Sequence, residues 1–120
     1  MGLFGNKDNK EKEYLESLDI NSIMNEKFIL EVEETYIIMG VGTVITGIVK
    51  SGMCHSGDVA ILKTQTDYLD TTILGIDILR DKNNIRKKSD GIAYKGERVG
   101  INIRGIEKSQ VNKGDILTLK

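Results

Sequence analysis

The sequence has no proline and no tryptophan, and only one cysteine (Cys54) and one histidine (His55), in 120 residues. A single cysteine excludes an internal disulfide framework. One cysteine and one histidine supply too few ligands for a zinc site within one chain. Aromatic residues are scarce. Two phenylalanines and four tyrosines are all that could stack on nucleobases. No apolar run reaches the roughly 18–20 residues of a membrane-spanning helix. The opening residues lack the basic, apolar and small-residue succession of a secretion signal. They also place Asn6 where N-myristoylation requires Ser or Thr. The expected setting is the cytoplasm, with no membrane association.

Glycine, by contrast, is plentiful at 13 residues. Without proline, this suits short strands joined by tight turns and bulges better than a helical bundle. The net charge of −1 gives no general attraction to polyanions. That charge is unevenly spread, however. Residues 1–50 carry five lysines against nine acids, and residues 51–120 carry twelve bases against nine acids. Within the second part, residues 80–88 hold five bases and one acid. Such a segment is either a solvated loop or a patch for phosphate.

The pattern changes along the chain. Residues 8–18 read as a short helix, with Asp8 and Glu11 at capping-box spacing. Tyr14, Leu15 and Leu18 fall on one face of it, which could dock on the main domain or on a partner. Residues 1–25 are expected to be a flexible segment carrying this helix, with residues 1–9 loose. From Phe28 the period becomes two. Phe28, Leu30 and Val32 alternate with Ile29, Glu31 and Glu33, and Val99, Ile101 and Ile103 with Gly100, Asn102 and Arg104. Residues 43–50, 59–62, 71–79 and 116–119 also read as strands. In the 71–79 strand, Leu74, Ile76 and Ile78 are expected on one face, with Ile73, Gly75, Asp77 and Leu79 on the other. Turn signals stand at residues 51–52, 56–58, 90–91, 95–96 and 113–114. Six or seven strands at short intervals, with no helices between them, predict an all-β domain over residues 26–120. A small closed antiparallel barrel suits that length because it leaves no exposed edges.

Motifs for chemistry are mostly absent. Gly52 to Gly57 and Gly91 to Gly96 have the glycine spacing of a phosphate loop. The lysine is missing, and Asp58 and Glu97 follow where an acid would repel phosphate. Asn112-Lys113-Gly114-Asp115 has the form of a guanine-reading motif, but it leads straight into the last strand and reads as a hairpin turn. Cys54 and His55 are strand neighbours, so their side chains diverge and cannot form a nucleophile–base pair. Glu33 and Glu34 read as a polar turn with nothing to force them into a cleft. No enzyme activity, cofactor or metal is expected.

One stretch is distinctive. Gly40-Val41-Gly42-Thr43-Val44-Ile45-Thr46-Gly47-Ile48-Val49 resembles the Gly-x-Gly-Thr-Val-Val-Thr-Gly-x-Val of the second domain of translational GTPases, the barrel of the elongation factor Tu domain 2 type. Six further pieces follow in that family's order: Ser51-Gly52; Ser56-Gly57-Asp58-Val59; Gly75-Ile76-Asp77-Ile78-Leu79-Arg80; Gly96-Glu97-Arg98-Val99-Gly100; Ile103-Arg104-Gly105-Ile106; and Val111 with Gly114-Asp115-Ile116-Leu117. The resemblance covers residues 28–120. It implies a free-standing domain 2-like barrel, a non-catalytic binding module that contacts tRNA, the ribosome or a ribonucleoprotein. No phosphate loop accompanies it, so GTP binding and hydrolysis are not expected.

In that family the barrel helps hold the aminoacylated 3′ end of tRNA, which points to Asp77, Arg80, Glu97 and Arg98 here. Asp77 stands where the family has Glu, Leu79 where it has an aromatic, and Arg98 where it has Asn. The basic segment adds Arg86, Lys87 and Lys88 as phosphate contacts. The alternative is a protein–protein module with no RNA ligand, docking through an apolar barrel face or the N-terminal helix.

Overall fold

Alternating β-branched and aliphatic residues bury one side of most strands, and nine strands form among the described residues. The computed structural model describes residues 6–120. Two helices come first, α1 (Asn6–Ser17) and α2 (Ile20–Asn25). The strands are β1 (Ile29–Glu31), β2 (Glu34–Ile38), β3 (Gly42–Ser51), β4 (Met53–His55), β5 (Val59–Lys63), β6 (Tyr68–Ile78), β7 (Ile92–Tyr94), β8 (Arg98–Ile103) and β9 (Ile116–Leu119). A single 3₁₀ turn, Lys108–Gln110, lies between β8 and β9.

Six strands form a closed antiparallel barrel in the order β1-β9-β5-β6-β8-β3, and β3 pairs back onto β1. β1 meets the last residues of β3, and β2 meets its first half, with Glu34 opposite Thr46 and Ile38 opposite Gly42. β2 is therefore a seventh strand hydrogen-bonded on one side only. β4 and β7 pair separately as a two-stranded ribbon. Leu30, Ile45, Leu62, Ile73, Ile101 and Leu117 are fully buried at the centre. Each such side chain contributes about 1.5–3 kcal/mol relative to exposure.

Glycine is required at two close approaches. At Gly47 the carbonyl oxygen of Glu31 occupies the space a Cβ would take. At Gly52 the backbone has φ +70°, and a Cβ would lie 2.7 Å from the Phe28 backbone. The first lets the chain cross from β1 to β2 against β3, and the second lets β3 turn into β4.

Several expectations need correcting. Residues 6–9, read as loose, belong to α1, and Asp8 sits inside that helix rather than at its cap. Residues 1–5 lie outside the described structure. The sequence pattern gives no sign of α2; Asp19 caps it by accepting from the Ser22 N–H at 3.1 Å. Glu34 opens β2 instead of sitting in a turn. In β6 the register against β8 shifts between Ile73 and Gly75. One extra residue there reverses the face, so Ile73 and Ile76 are buried while Leu74 is exposed. The Asn112–Asp115 segment is a turn but not the expected hairpin, because β9, which follows it, pairs with β1 and β5 rather than with β8. The Asp115 N–H reaches the Asn112 carbonyl at 3.0 Å, and the Asp115 carboxylate accepts from the Asn112 N–H at 2.8 Å.

Candidate nucleic-acid interface

β6 ends at Ile78 and β7 begins at Ile92, so the basic segment is the connection between them. Internal hydrogen bonds fix its path. The Asn84 amide donates to the carbonyls of Leu79 (2.9 Å) and Arg98 (2.7 Å), and its oxygen accepts from the Arg98 N–H (3.0 Å). The Ser89 hydroxyl donates to the Ile76 carbonyl at 2.5 Å. These bonds fasten both ends of the loop to β6 and β8.

The centre of the loop is held by a buried ion pair. Arg86 Nε donates to one Glu97 oxygen at 2.7 Å and Nη2 to the other at 2.6 Å. The remaining donors go to the carbonyls of Ser89 (3.0 Å) and Ile92 (2.8 Å). Glu97 also accepts the Tyr94 N–H at 2.8 Å. Arg86 is 5% exposed and Glu97 2%. The guanidinium lies 4.7 Å from the centre of the Tyr94 ring, within reach of a cation–π contact. Burial pulls the Arg86 pKa down, but the bonds to Glu97 outweigh it and hold the group above its usual value. Arg86 and Glu97 were expected to touch RNA. They do not face solvent, and every strong donor of Arg86 is used within the protein. Their role here is to shape the loop.

Helix α1 lies over this pair. The Glu11 carboxylate accepts the Lys87 N–H at 2.9 Å. Tyr14 is half-buried, and burial, followed by the nearby Glu97 charge, pushes its phenol up to about 12. Leu15, expected on the docking face, is 37% exposed.

The other candidates divide. Arg98 is half-buried and gripped by two carboxylates: Nε meets Asp81 at 2.6 Å and Nη1 pairs with Glu33. The Asn83 N–H holds the Asp81 carboxyl below its usual range against desolvation, and Arg98 adds to the effect. Arg98 therefore clamps the loop to the β1–β2 junction. Asp77, Arg80 and Lys88 are exposed, as are Lys82 and the Lys87 side chain. A cavity of about 330 Å³ opens beside them, lined by Ile78, Leu79, Arg80, Asp81, Asn84, Arg86 and Lys87. The structure thus brings Arg80 and Lys87 to one cavity. It leaves Asp77, Lys88 and Glu97 outside the cavity lining, and Arg86, which lines the cavity, is buried and committed to Glu97.

Two features are not evident from the sequence reading. Asn84 organises the loop, although in sequence it is only one member of a basic run. The β2–β3 hairpin exposes Tyr36, Ile37, Ile38, Met39 and Val41. Its signal is four consecutive apolar residues without alternation ahead of Gly40.

Cys54 is fully buried and His55 exposed, so the pair diverges as adjacent strand residues must. Burial, and then the Asp58 charge, pushes the Cys54 thiol up to about 12. Among the described residues, no three His, Cys, Asp or Glu side chains are grouped to hold a metal. No helix among them is long and apolar enough to cross a membrane. No family model matches the chain.

Proposed function

We propose that the protein is a non-catalytic binding module of the translation-factor domain 2 type, contacting tRNA, ribosomal RNA or a ribonucleoprotein through the 80–88 loop. The observation that carries this reading is the way the loop is anchored. Arg86, Asn84 and Ser89 satisfy its interior, while Arg80, which lines the cavity, and Lys82 and Lys88, which do not, remain exposed along the loop. A basic loop fixed in advance loses little conformational entropy when it meets phosphate. Asp77 is exposed near the end of β6, and in this reading it accepts from a ribose hydroxyl or a base amino group. A cytoplasmic setting belongs to the same proposal.

The test is a titration of the full chain with aminoacylated and uncharged tRNA at low and physiological salt. Backbone amide shifts report the site. Shifts should centre on Asp77, Arg80 and Lys88. The double reversal Arg80→Glu with Lys88→Glu should weaken binding. It should also flatten the salt dependence, by about one unit of slope for each phosphate no longer neutralised. Unchanged binding by that variant, or no binding by the native chain at either salt, would overturn the proposal.

A further inference from the structure

A second surface lies at one end of the barrel. Thr43 pairs with Ile103, and Ile103 with Ile73, so the start of β3, the end of β8 and the middle of β6 meet there. A groove of about 1030 Å³ opens at this end. Ile37, Val41 and Leu74 are the exposed apolar residues of its lining, and the buried Ile103, Ile106 and Val111 complete it. Ile37 is 66% exposed, and Met39, at the hairpin tip, is 97% exposed. Exposed aliphatic residues grouped in this way are costly to leave facing water and point to a contact site.

The rim says what kind of partner fits. Arg104 and Lys108 line the groove, are exposed, and have no carboxylate partner among the described residues. The one acid in the lining, Glu107, caps the 3₁₀ turn that follows it. The groove is therefore apolar inside and cationic at its edge. β2 adds a third feature: it is hydrogen-bonded only to β3, so its outer backbone groups are open to an extended chain.

We propose that this groove docks an extended segment of a partner protein that alternates aliphatic and acidic residues. Its aliphatic side chains fill the space between Ile37 and Val111. Its carboxylates meet Arg104 and Lys108. Its backbone extends the sheet at β2. The site involves none of the 80–88 residues, so RNA and this segment can be bound together.

The probes are three short synthetic peptides: one alternating Leu and Asp, one alternating Leu and Lys, and one alternating Ser and Asp. Each is titrated into the isotope-labelled full chain. The Leu/Asp peptide should shift the amides of Ile37, Val41, Leu74 and Lys108, and bind about tenfold more tightly than the Leu/Lys peptide. The Ser/Asp peptide should not bind. The double variant Arg104→Glu with Lys108→Glu should reverse the preference between the two leucine peptides. Ile37→Asp should abolish binding; a native amide pattern elsewhere would show that this exposed position leaves the barrel folded. Equal binding of both leucine peptides, or shifts away from the groove, would overturn the proposal. So would self-association of the native chain that Ile37→Asp abolishes, because the groove would then be filled by a second copy.

Discussion

Replacing Glu97 by Gln keeps the side chain's shape but removes the charge that balances Arg86. The guanidinium would then be buried at 5% exposure with no counter-charge. Breaking one side of a buried pair costs about 3–5 kcal/mol, because the remaining ion is left without its partner and without water. Arg86→Met leaves the carboxylate in the same position, with only the Tyr94 N–H as a close donor. It also strips donors from the Ser89 and Ile92 carbonyls. The expected loss is of the same size. A domain of this length has a total stability of about 5–15 kcal/mol, so either variant lies near the edge of folding. The midpoint of thermal unfolding should fall by about 12–20 °C.

The double variant Arg86→Met with Glu97→Leu separates the pair from its setting. It buries no charge, so most of the loss should return, leaving a deficit of about 2 kcal/mol for the unpaired carbonyls. Arg86→Lys should rescue little, since an ammonium cannot make the two parallel bonds to Glu97 and also reach both carbonyls. Urea unfolding followed by circular dichroism measures all four variants. Single losses below about 1 kcal/mol, or a double variant whose loss equals the sum of the singles, would refute the account of the pair as a coupled, desolvated anchor.

Gly47→Ala should destabilise by about 1–3 kcal/mol, because the new methyl meets the Glu31 carbonyl in a strand that cannot retreat; denaturant midpoints would show it. Cys54 should not react with a thiol-specific disulfide reagent in the native protein at neutral pH, and should react at once in urea, since its thiol is buried and pushed up to about 12. Tyr14 should ionise about two units later than an ordinary tyrosine, near pH 12. The folded state then holds a proton that the unfolded chain releases, so this contribution is complete below about pH 10 and lost as the pH rises from about 10 to 12. Phenolate absorbance of the native chain and of Tyr14→Phe measures it; a variant that keeps the late titration would assign it elsewhere.

The barrel was legible because its strands alternate. Phe28, Leu30 and Val32 face the core as their spacing required, and so do Val99, Ile101 and Ile103. Every glycine at the anticipated turns, Gly52, Gly57, Gly91, Gly96 and Gly114, has positive φ. Alternation failed where a bulge intervened: Leu74 and Ile76 share a parity in sequence but not a face. It failed again at β2, where two acids and then an unbroken apolar run concealed an edge strand. The site was harder to read for a different reason. A charged residue in sequence gives no sign of its burial, and Arg86 and Glu97 are eleven positions apart. Arg80 and Lys88 belong to the same basic run as Arg86, yet they stay at the surface while Arg86 turns inward.

That inward turn determines what α1 does. The helix lies outside the closed ring of strands and touches the loop through Tyr14 and the Glu11 carboxylate. α2 is a separate attachment: Ile23 is buried, and Glu26 binds Lys95 at 3.1 Å. Removing residues through Ser17 should therefore leave both α2 and the barrel in place. The loss should be about 1–3 kcal/mol, the scale of one half-buried tyrosine and one charge-assisted hydrogen bond. Hydrogen exchange should then quicken at Lys87, whose N–H loses the Glu11 carboxylate, while β3, β5 and β8 stay protected. Because Arg86 and Glu97 lose a cover but not each other, the loop should keep its path. Collapse of the barrel on truncation would mean that α1 belongs to the folding core. A Lys87 amide unchanged in exchange would mean that α1 does not rest on the loop.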